Sequence, residues 1–277
     1  MKTSTWFNLF KYVLLSAICF VMLIPFVWMI STSLKDPTQI FVFPPQFIPS
    51  PINFKNYMEV LSGDYFLKQF FNSIYIGGVV TVGTLLLSSM AGYAFARIDF
   101  KGKNFVFLLI LSVMMIPAEV TIIPLFLFMR ELGFINTHIP LIVIPIFGYG
   151  GAFGIFVMRQ FFKQIPLDLE EAARLDGCSR WRIYWNIMLP LSKPALATVT
   201  IFTFLTNWDE FLNPLIFIKS RELMTLPLGL SLFTDEAGTA WNLLMSASVL
   251  VTLPVLIVFF FAQKQFIESL AMSGSKE

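Results

Sequence analysis

Six long apolar stretches, separated by short polar segments, dominate the pattern of residues along this chain. They cover Tyr12–Thr32, Gln69–Ala96, Asn104–Met129, Ile139–Phe162, Pro194–Ile218 and Thr239–Ala262. Each is long enough to cross the roughly 30 Å hydrocarbon core of a bilayer as a helix. The pattern therefore predicts an all-α, polytopic membrane protein with six transmembrane helices.

Proline and glycine mark the places where two of these helices are expected to be irregular. Pro117 and Pro124 in the third stretch predict a kink or local unwinding. Glycines allow a helix to approach its neighbour closely, and the fourth stretch carries Gly148, Gly150, Gly151 and Gly154. We divide the chain into an N-terminal helix and outer loop (1–68), a transmembrane core (69–263) and a cytoplasmic tail (264–277).

Composition agrees with a membrane protein and excludes several other classes. The chain is 57% hydrophobic and 13% charged, with a net charge of +2, which points to no nucleic-acid partner. Cys19 lies in an apolar stretch and Cys178 in a polar one, so no disulfide is expected. His138 has no Cys or His companion, which argues against a metal site.

The distribution of Lys and Arg between the short loops predicts the orientation of the chain. Of the 19 basic residues, 13 fall on the side that carries both termini and 6 on the other. Basic residues accumulate on the cytoplasmic side of membrane proteins. We therefore expect a multi-pass protein of the cell membrane with both termini, and the polar segment 164–190, in the cytoplasm.

The polar segment 164–190 has the signals of two short helices joined by a turn. Asp168 can cap the first helix with Glu171 as its capping-box partner, and Gly177 suits a left-handed position after that helix. Ser179 can cap the second helix, which Pro190 is expected to close. The result would be a helix-turn-helix in which two neighbouring alanines form a flat face for another protein.

The same segment matches the pattern E-A-A-x3-G-x9-I-x-L-P at every fixed position, through Glu171, Ala172, Ala173, Gly177, Ile187, Leu189 and Pro190. It resembles the coupling-loop signature of the membrane subunits of binding-protein-dependent ABC importers. Further stretches resemble the carbohydrate-uptake branch, and specifically the second permease of maltose-type importers. They are Asn53–Tyr57, Phe71–Ser73, Gly92–Arg97, Asn207–Phe211, Thr225–Leu230 and Gln263–Ile267. The end of the chain, Glu268–Glu277, departs from the family pattern.

The resemblance implies a permease subunit that forms half of the pore of an ATP-driven sugar importer. Its partners would be a second permease, two ATP-binding subunits and an extracytoplasmic solute-binding protein. Contact with the ATPase would involve the motif residues together with Asp176. The chain has no phosphate-binding glycine loop and no catalytic constellation, so we expect it to be no enzyme and to need no cofactor.

Acidic residues within the apolar stretches are the candidates for a translocation path. Glu119, Asp209 and Glu210 would be costly against lipid and should face the bundle or water. Carboxylates and amides bind sugar hydroxyls, and aromatic rings stack on sugar faces. The candidate set is Glu119, Tyr149, Asn207, Trp208, Asp209, Glu210 and Asn213. The alternative role for these residues is to hold helices together.

Three other functions remain open at this point. The same machine could import glycerol-3-phosphate or another polyol, although no Arg or Lys is visible in the membrane path. A stand-alone secondary transporter would leave the Glu-Ala-Ala pattern unexplained. An intramembrane enzyme would need paired catalytic groups, whereas the adjacent Asp209 and Glu210 would point to different faces of a helix.

Overall fold

The computed structural model describes residues 5–235 and 238–274, and nearly all of the regular structure within them is helical. The α-helices are α1 Thr5–Ser33, α2 Lys55–Ser62, α3 Phe66–Arg97, α4 Lys103–Val113, α5 Ala118–Glu131, α6 Ile139–Phe147, α7 Tyr149–Gln164, α8 Asp168–Leu175, α9 Arg180–Ile183, α10 Leu189–Leu191, α11 Lys193–Trp208, α12 Leu212–Phe217, α13 Leu226–Leu230 and α14 Trp241–Gly274. Single turns of 3₁₀-helix lie at Pro37–Gln39, Arg221–Leu223 and Ser231–Phe233, and Tyr184–Met188 forms a π-turn. Two-residue strands, β1 Thr234–Asp235 and β2 Gly238–Thr239, pair antiparallel as a small hairpin. The predicted all-α class is confirmed.

Contacts divide the chain into two compact units. The first comprises Met1–Leu67 and Leu230–Leu253, and the second comprises Lys68–Gly229 and Pro254–Glu277. The long helix α14 contributes its first part to one unit and its remainder to the other.

A buried network of amides and hydroxyls holds the first unit together. The Asn56 side-chain amide donates hydrogen bonds to the backbone carbonyls of Ser33 and Lys35, each at 2.9 Å. Asn242 donates to the Asn56 amide oxygen at 2.9 Å, and the Ser246 hydroxyl donates to the Ser33 carbonyl at 3.0 Å. Because these groups are buried, the bonds fix the end of α1 against α2 and the start of α14.

In the second unit, α3 and α7 approach each other closely at small residues. A side chain at Gly92 would place its Cβ 2.7 Å from the Cβ of Met158, and one at Gly154 would lie 2.8 Å from Ser88. Both distances are too short for non-bonded carbon atoms. The predicted close approach of the fourth apolar stretch is therefore confirmed at Gly154.

Among the residues that the structure describes, four helices are long and apolar enough to cross a membrane, and two bent helix pairs raise the number of candidate spans to six. The third predicted stretch is one of these pairs, in which α4 and α5 are bent by 96°. Pro117 caps α5 at this break, as the prolines predicted. The other pair joins Arg180–Leu191 to Lys193–Trp208 with a bend of 75°. The fifth predicted stretch has a further break of its own: α11 ends at Trp208, and the chain continues as α12 from Leu212.

Candidate functional site

We call segment 164–190 the Glu-Ala-Ala loop, and α8 is its first helix. Its N-cap is Leu167 rather than the predicted Asp168, and no side chain caps this end. Asp168 is already the first helical residue, and the amides of Glu170 and Glu171 donate to the Leu167 carbonyl at 2.9 and 3.1 Å. The predicted capping box is therefore wrong, because a local backbone turn satisfies these donors. The three acidic residues of the first turn, Asp168, Glu170 and Glu171, still complement the helix dipole.

Gly177 ends the first helix in the manner that the sequence predicts. Its φ is +78°, in the left-handed region that glycine adopts without a steric penalty. The Gly177 amide donates to the Arg174 carbonyl at 3.0 Å, and the Cys178 amide donates to Ala173 at 2.9 Å. These two bonds form a Schellman motif, which satisfies carbonyls that the helix leaves free. A Cβ at Gly177 would meet no atom within 4 Å, so the requirement for glycine is conformational and does not come from crowding.

Ser179 caps the second helix, and its hydroxyl accepts a hydrogen bond from the Arg182 amide at 3.3 Å, as predicted. The helical path continues from α9 through the π-turn into α10. Pro190 lies within this path, which ends one residue later at Leu191, and the chain bends at Ser192. The prediction that Pro190 closes the helix is therefore wrong.

The two alanines of the motif differ in exposure. Ala172 is exposed, whereas Ala173 is buried in a core cluster formed with Met158, Phe162 and Ile183. The predicted flat face of two alanines is therefore wrong. The exposed residues of the loop include Glu171, Ala172, Arg174, Leu175, Asp176, Trp181 and Trp185, and the Leu175 side chain is 89% exposed.

The remaining motif residues, Ile187 and Leu189, pack against the same core cluster and are only partly exposed. This cluster joins the loop to α3 and α7. Within it, the Tyr184 hydroxyl lies 2.7 Å from the Ser89 hydroxyl of α3, and the rings of Tyr184 and Tyr93 are 5.4 Å apart. The loop is therefore one body with the ends of two long helices.

A charged contact that the sequence did not reveal fixes α8 to the last residue of α3. The Arg97 Nε lies 2.9 Å from the Glu170 Oε1, and the Arg97 guanidinium also donates to the Ile165 carbonyl. Arg174, one turn after Glu170, lies 3.6 Å from the other carboxylate oxygen. The motif directed attention to Glu171, but its neighbour Glu170 is the residue that faces inward.

A cavity of about 430 Å³ lies where three helical segments of the second unit are interrupted. The interruptions fall between α4 and α5, at Gly148 between α6 and α7, and between α11 and α12. The cavity is lined by Val113, Ile116, Ala118, Thr121, Leu125, Ile144, Pro145, Gly148, Tyr149, Gly150, Thr206, Asn207, Glu210 and Asn213. Discontinuous helices expose backbone groups at membrane depth, and they line substrate sites in other transporters.

Four of the predicted path residues meet in this cavity: Tyr149, Asn207, Glu210 and Asn213. The Glu210 carboxylate accepts a hydrogen bond from the backbone amide of Asn213 at 3.0 Å. The Asn207 side-chain amide donates to the Thr203 carbonyl at 2.7 Å. These bonds hold both side chains in place. Glu210 is the only carboxylate among the lining residues, and none of them is Lys, Arg or His.

The other three predicted path residues do not line this cavity. Glu119 is exposed in the first turn of α5, where its charge complements the helix dipole. Trp208 is almost completely buried, with its ring stacked on Phe204 at 5.4 Å, so it offers no face to a sugar in this structure. Asp209 is exposed and lies outside the cavity lining.

Comparison with known proteins identifies the family. Residues 84–271 match the family described as the inner membrane component of binding-protein-dependent transport systems. The chain belongs to this family. Its members are transport components rather than enzymes, and the Glu-Ala-Ala motif is typical of them.

Individual relatives agree with this assignment. The chain is 41% identical to an arabinooligosaccharides transport system permease protein of Bacillus subtilis, over 82% of this chain and 80% of that protein. It is 34% identical to a trehalose/maltose transport system permease protein of Thermococcus litoralis, over 95% and 94% of the two chains. A chain from the crystal structure of a bacterial ABC transporter that imports alginate matches with a TM-score of 0.84 and 26% identity, over 96% and 98% of the two chains.

Proposed function

We propose that this permease is a membrane subunit of an ATP-driven importer of sugars or oligosaccharides and forms half of its translocation pore. The observation that carries the proposal is the cavity at the three helix interruptions, which collects Tyr149, Asn207, Glu210 and Asn213. Relatives that are named as transporters of arabinooligosaccharides and of trehalose and maltose support a sugar as the substrate.

The chemistry of the cavity suits neutral polyhydroxylated molecules. Its volume lies within the range of roughly 300–1,000 Å³ that is usual for small-molecule sites. A carboxylate and two amides can pair with sugar hydroxyls, and the half-exposed Tyr149 ring can pack on an apolar sugar face. The apolar part of the lining, including Ile116 and Leu125, would cover the remaining carbon atoms.

Glycerol-3-phosphate is the weaker alternative on the same grounds. A phosphate group binds preferentially to Arg, Lys or several backbone amides. The described lining offers no basic side chain, and the Glu210 carboxylate would repel an anion. We therefore favour a neutral sugar over a phosphorylated polyol.

The assembly that we propose has a second permease, two ATP-binding subunits and an extracytoplasmic solute-binding protein. The Glu-Ala-Ala loop is the proposed contact with the ATPase, through exposed Glu171, Ala172, Leu175 and Asp176. Because the loop is one body with the ends of α3 and α7, movement of the ATPase would displace these helices directly. ATP hydrolysis would belong to the partner subunits.

The decisive experiment is reconstitution of the permease with its partner subunits in liposomes. ATPase activity and uptake are then measured across neutral oligosaccharides, glycerol-3-phosphate and an acidic oligosaccharide. We expect a neutral sugar to stimulate both activities and the anionic compounds to stimulate neither. Stimulation by glycerol-3-phosphate alone would overturn the proposed substrate class, and uptake without any ATPase subunit would overturn the proposed machine.

A further inference from the structure

The loop between α1 and α2, residues 37–54, has an unusual composition for a connection between helices. It contains no Asp, Glu, Lys or Arg, although Asp36 and Lys55 stand immediately on either side of it. Loops exposed to water are normally rich in charged residues, because such side chains are well hydrated. We refer to residues 37–54 as the uncharged loop.

The uncharged loop turns two of its amide side chains inward. Gln39 donates a hydrogen bond from its side chain to the Ser50 carbonyl at 2.7 Å. Asn53 donates to the Asp36 carboxylate at 2.7 Å, and its backbone amide donates to the Leu34 carbonyl. These polar groups therefore stabilise the loop itself.

The large apolar side chains of the uncharged loop point outward instead. Phe43 is 91% exposed and Ile48 is 82% exposed. The other large apolar side chains exposed on the loop are Phe41, Val42, Phe47, Ile52 and Phe54. Such a concentration of exposed apolar side chains in one short loop marks a place where the protein contacts another apolar phase.

The position of the uncharged loop identifies that phase. The loop packs on the last turns of α1, where the Phe47 ring lies 5.2 Å from the Trp28 ring and the Ser31 hydroxyl donates to the Phe47 carbonyl. The candidate membrane span of α1 is 27 residues long, from Phe7 to Ser33, and none of its most apolar window is buried by the described residues. At 1.5 Å per residue it measures roughly 40 Å, longer than the ~30 Å hydrocarbon core, so its end reaches the headgroup region.

We propose that the uncharged loop inserts Phe43, Ile48 and their apolar neighbours into the membrane surface at the end of α1. Aromatic and aliphatic side chains are favourable in this interfacial layer. The insertion is shallow, because the irregular backbone of the loop needs water or headgroups as hydrogen-bond partners. The contact between Phe47 and Trp28 places these side chains beside the exposed apolar residues of α1, the candidate membrane span, which favours lipid over a second protein as their partner.

Depth-resolved fluorescence quenching tests this assignment in the full reconstituted transporter. Cys19 and Cys178 are first replaced by Ser, and transport is confirmed. Single cysteines are then placed by Phe43→Cys, Ile48→Cys and, as a matched control, Ser62→Cys, and each is labelled with bimane. Ser62 is exposed at the end of α2 in the same unit. Quenching is measured with a lipid that carries a nitroxide near its headgroup and with iodide in the water.

We expect the lipid quencher to act at least about threefold more strongly on positions 43 and 48 than on 62, and iodide to act in the opposite order. Strong iodide quenching at 43 and 48 would show that the loop lies in water and would overturn the proposal. So would protection from both quenchers that disappears when the permease is reconstituted without its partners, since that result identifies a subunit interface. Two loop positions are used so that failure of one variant to assemble leaves the other to decide.

Discussion

The Arg97 guanidinium and the Glu170 carboxylate form an ion pair that is almost completely withdrawn from solvent, with side chains 5% and 1% exposed. The Arg97 Nε and the Glu170 Oε1 are 2.9 Å apart, but their geometry is not that of a hydrogen bond. Neither oxygen of the Glu170 carboxylate has a hydrogen-bond partner among the described residues. Arg97 is the last residue of α3 and Glu170 lies in the first turn of α8. Charge attraction therefore fixes the Glu-Ala-Ala loop to a long apolar helix.

Removing this charge should loosen the loop. Glu170→Gln leaves Arg97 buried without a counter-charge, and breaking a buried pair in this way typically costs about 3–5 kcal/mol. We expect the variant to lose most sugar uptake and to retain less ATPase subunit on purification. The matched control is Arg174→Gln, because Arg174 is half-exposed and lies 3.6 Å from the same carboxylate. Exposed pairs contribute about 0–1 kcal/mol, so the control should transport almost normally. Equal behaviour of the two variants would contradict the role of Arg97 and Glu170.

Gly177 should tolerate no β-branched residue. At a φ of +78°, a valine is strained by roughly 1–3 kcal/mol, although it has space. We expect Gly177→Val to reach the membrane but to recover less ATPase in a pull-down, with uptake reduced in parallel. Gly133 has a φ of +75° and equal space, and it lies outside the Glu-Ala-Ala loop, so Gly133→Val carries the same strain elsewhere. If Gly133→Val lowered ATPase recovery as much as Gly177→Val, or if neither did, the proposed contact with the ATPase would be wrong.

Glu210 and Asp209 are neighbours in sequence but differ in their surroundings, so their variants should separate. Glu210 lines the cavity, whereas Asp209 is exposed outside its lining. Glu210→Gln keeps an oxygen that can accept from the backbone amide of Asn213. It removes a charged acceptor, and a hydrogen bond from a hydroxyl to such an acceptor contributes roughly 1.5–3 kcal/mol. We expect a change of about tenfold or more in uptake kinetics for Glu210→Gln and little change for Asp209→Asn. Concentration-dependent uptake of a radiolabelled sugar measures both. Unchanged kinetics in Glu210→Gln would leave the carboxylate with a purely structural role.

Sequence patterns predicted those features of the site that depend on neighbouring residues. The Gly177 turn and the Ser179 cap are set within a few residues, and both are as expected. The predicted cap at Asp168 is wrong because several local arrangements can supply hydrogen-bond acceptors for the first amides of a helix, and the choice among them depends on packing. The Arg97–Glu170 pair joins residues far apart in sequence, so no local pattern indicates it.

The residues of the cavity also show what local sequence patterns cannot predict. Acidic residues in apolar stretches identified Glu210, but they identified Glu119 and Asp209 equally. Only the interruption of the helices decides which carboxylate faces the common space. Trp208 has an aromatic ring of the kind that stacks on sugars, yet this ring stacks on Phe204 in the core.

Lys35 provides a test of stability in the first unit. Its ammonium group is buried without a hydrogen-bond partner among the described residues and lies 4.2 Å from the centre of the Trp28 ring. Burial lowers the pKa of Lys35 below its ordinary value. Lys35→Met removes the desolvation cost of the charge but also the attraction to the ring, which is about 1–2 kcal/mol when desolvated. We expect the variant to unfold a few degrees higher at pH 7, as measured by intrinsic fluorescence.

The difference in stability between Lys35→Met and the wild type should depend on pH in a definite direction. Since the folded pKa of Lys35 is below the unfolded pKa, the folded protein releases the proton first, and its stability rises as pH approaches the unfolded value. The advantage of Lys35→Met should therefore shrink between pH 7 and about pH 10. A wild-type protein that is more stable than the variant at pH 7 would show that the contact with Trp28 outweighs the cost of burial.

Membrane orientation can be tested by labelling single cysteines in intact cells. Ser62 is exposed at the end of α2, and a cysteine there should react with an impermeant maleimide from outside. A cysteine at Ser275, which lies outside the described residues, should react only after the cells are permeabilised. The physical basis is the asymmetry of 13 against 6 basic residues. The reverse pattern would place both termini outside the cell.

The three interrupted helices also determine how the resting protein prevents leakage of ions. Backbone groups released at the interruptions need water, so the cavity should stay hydrated even when it holds no sugar. The seal against ions must then lie outside the cavity, elsewhere along the path through the importer. If this hydrated cavity were open to both sides of the membrane at once, the proton gradient of the cell would discharge through the importer.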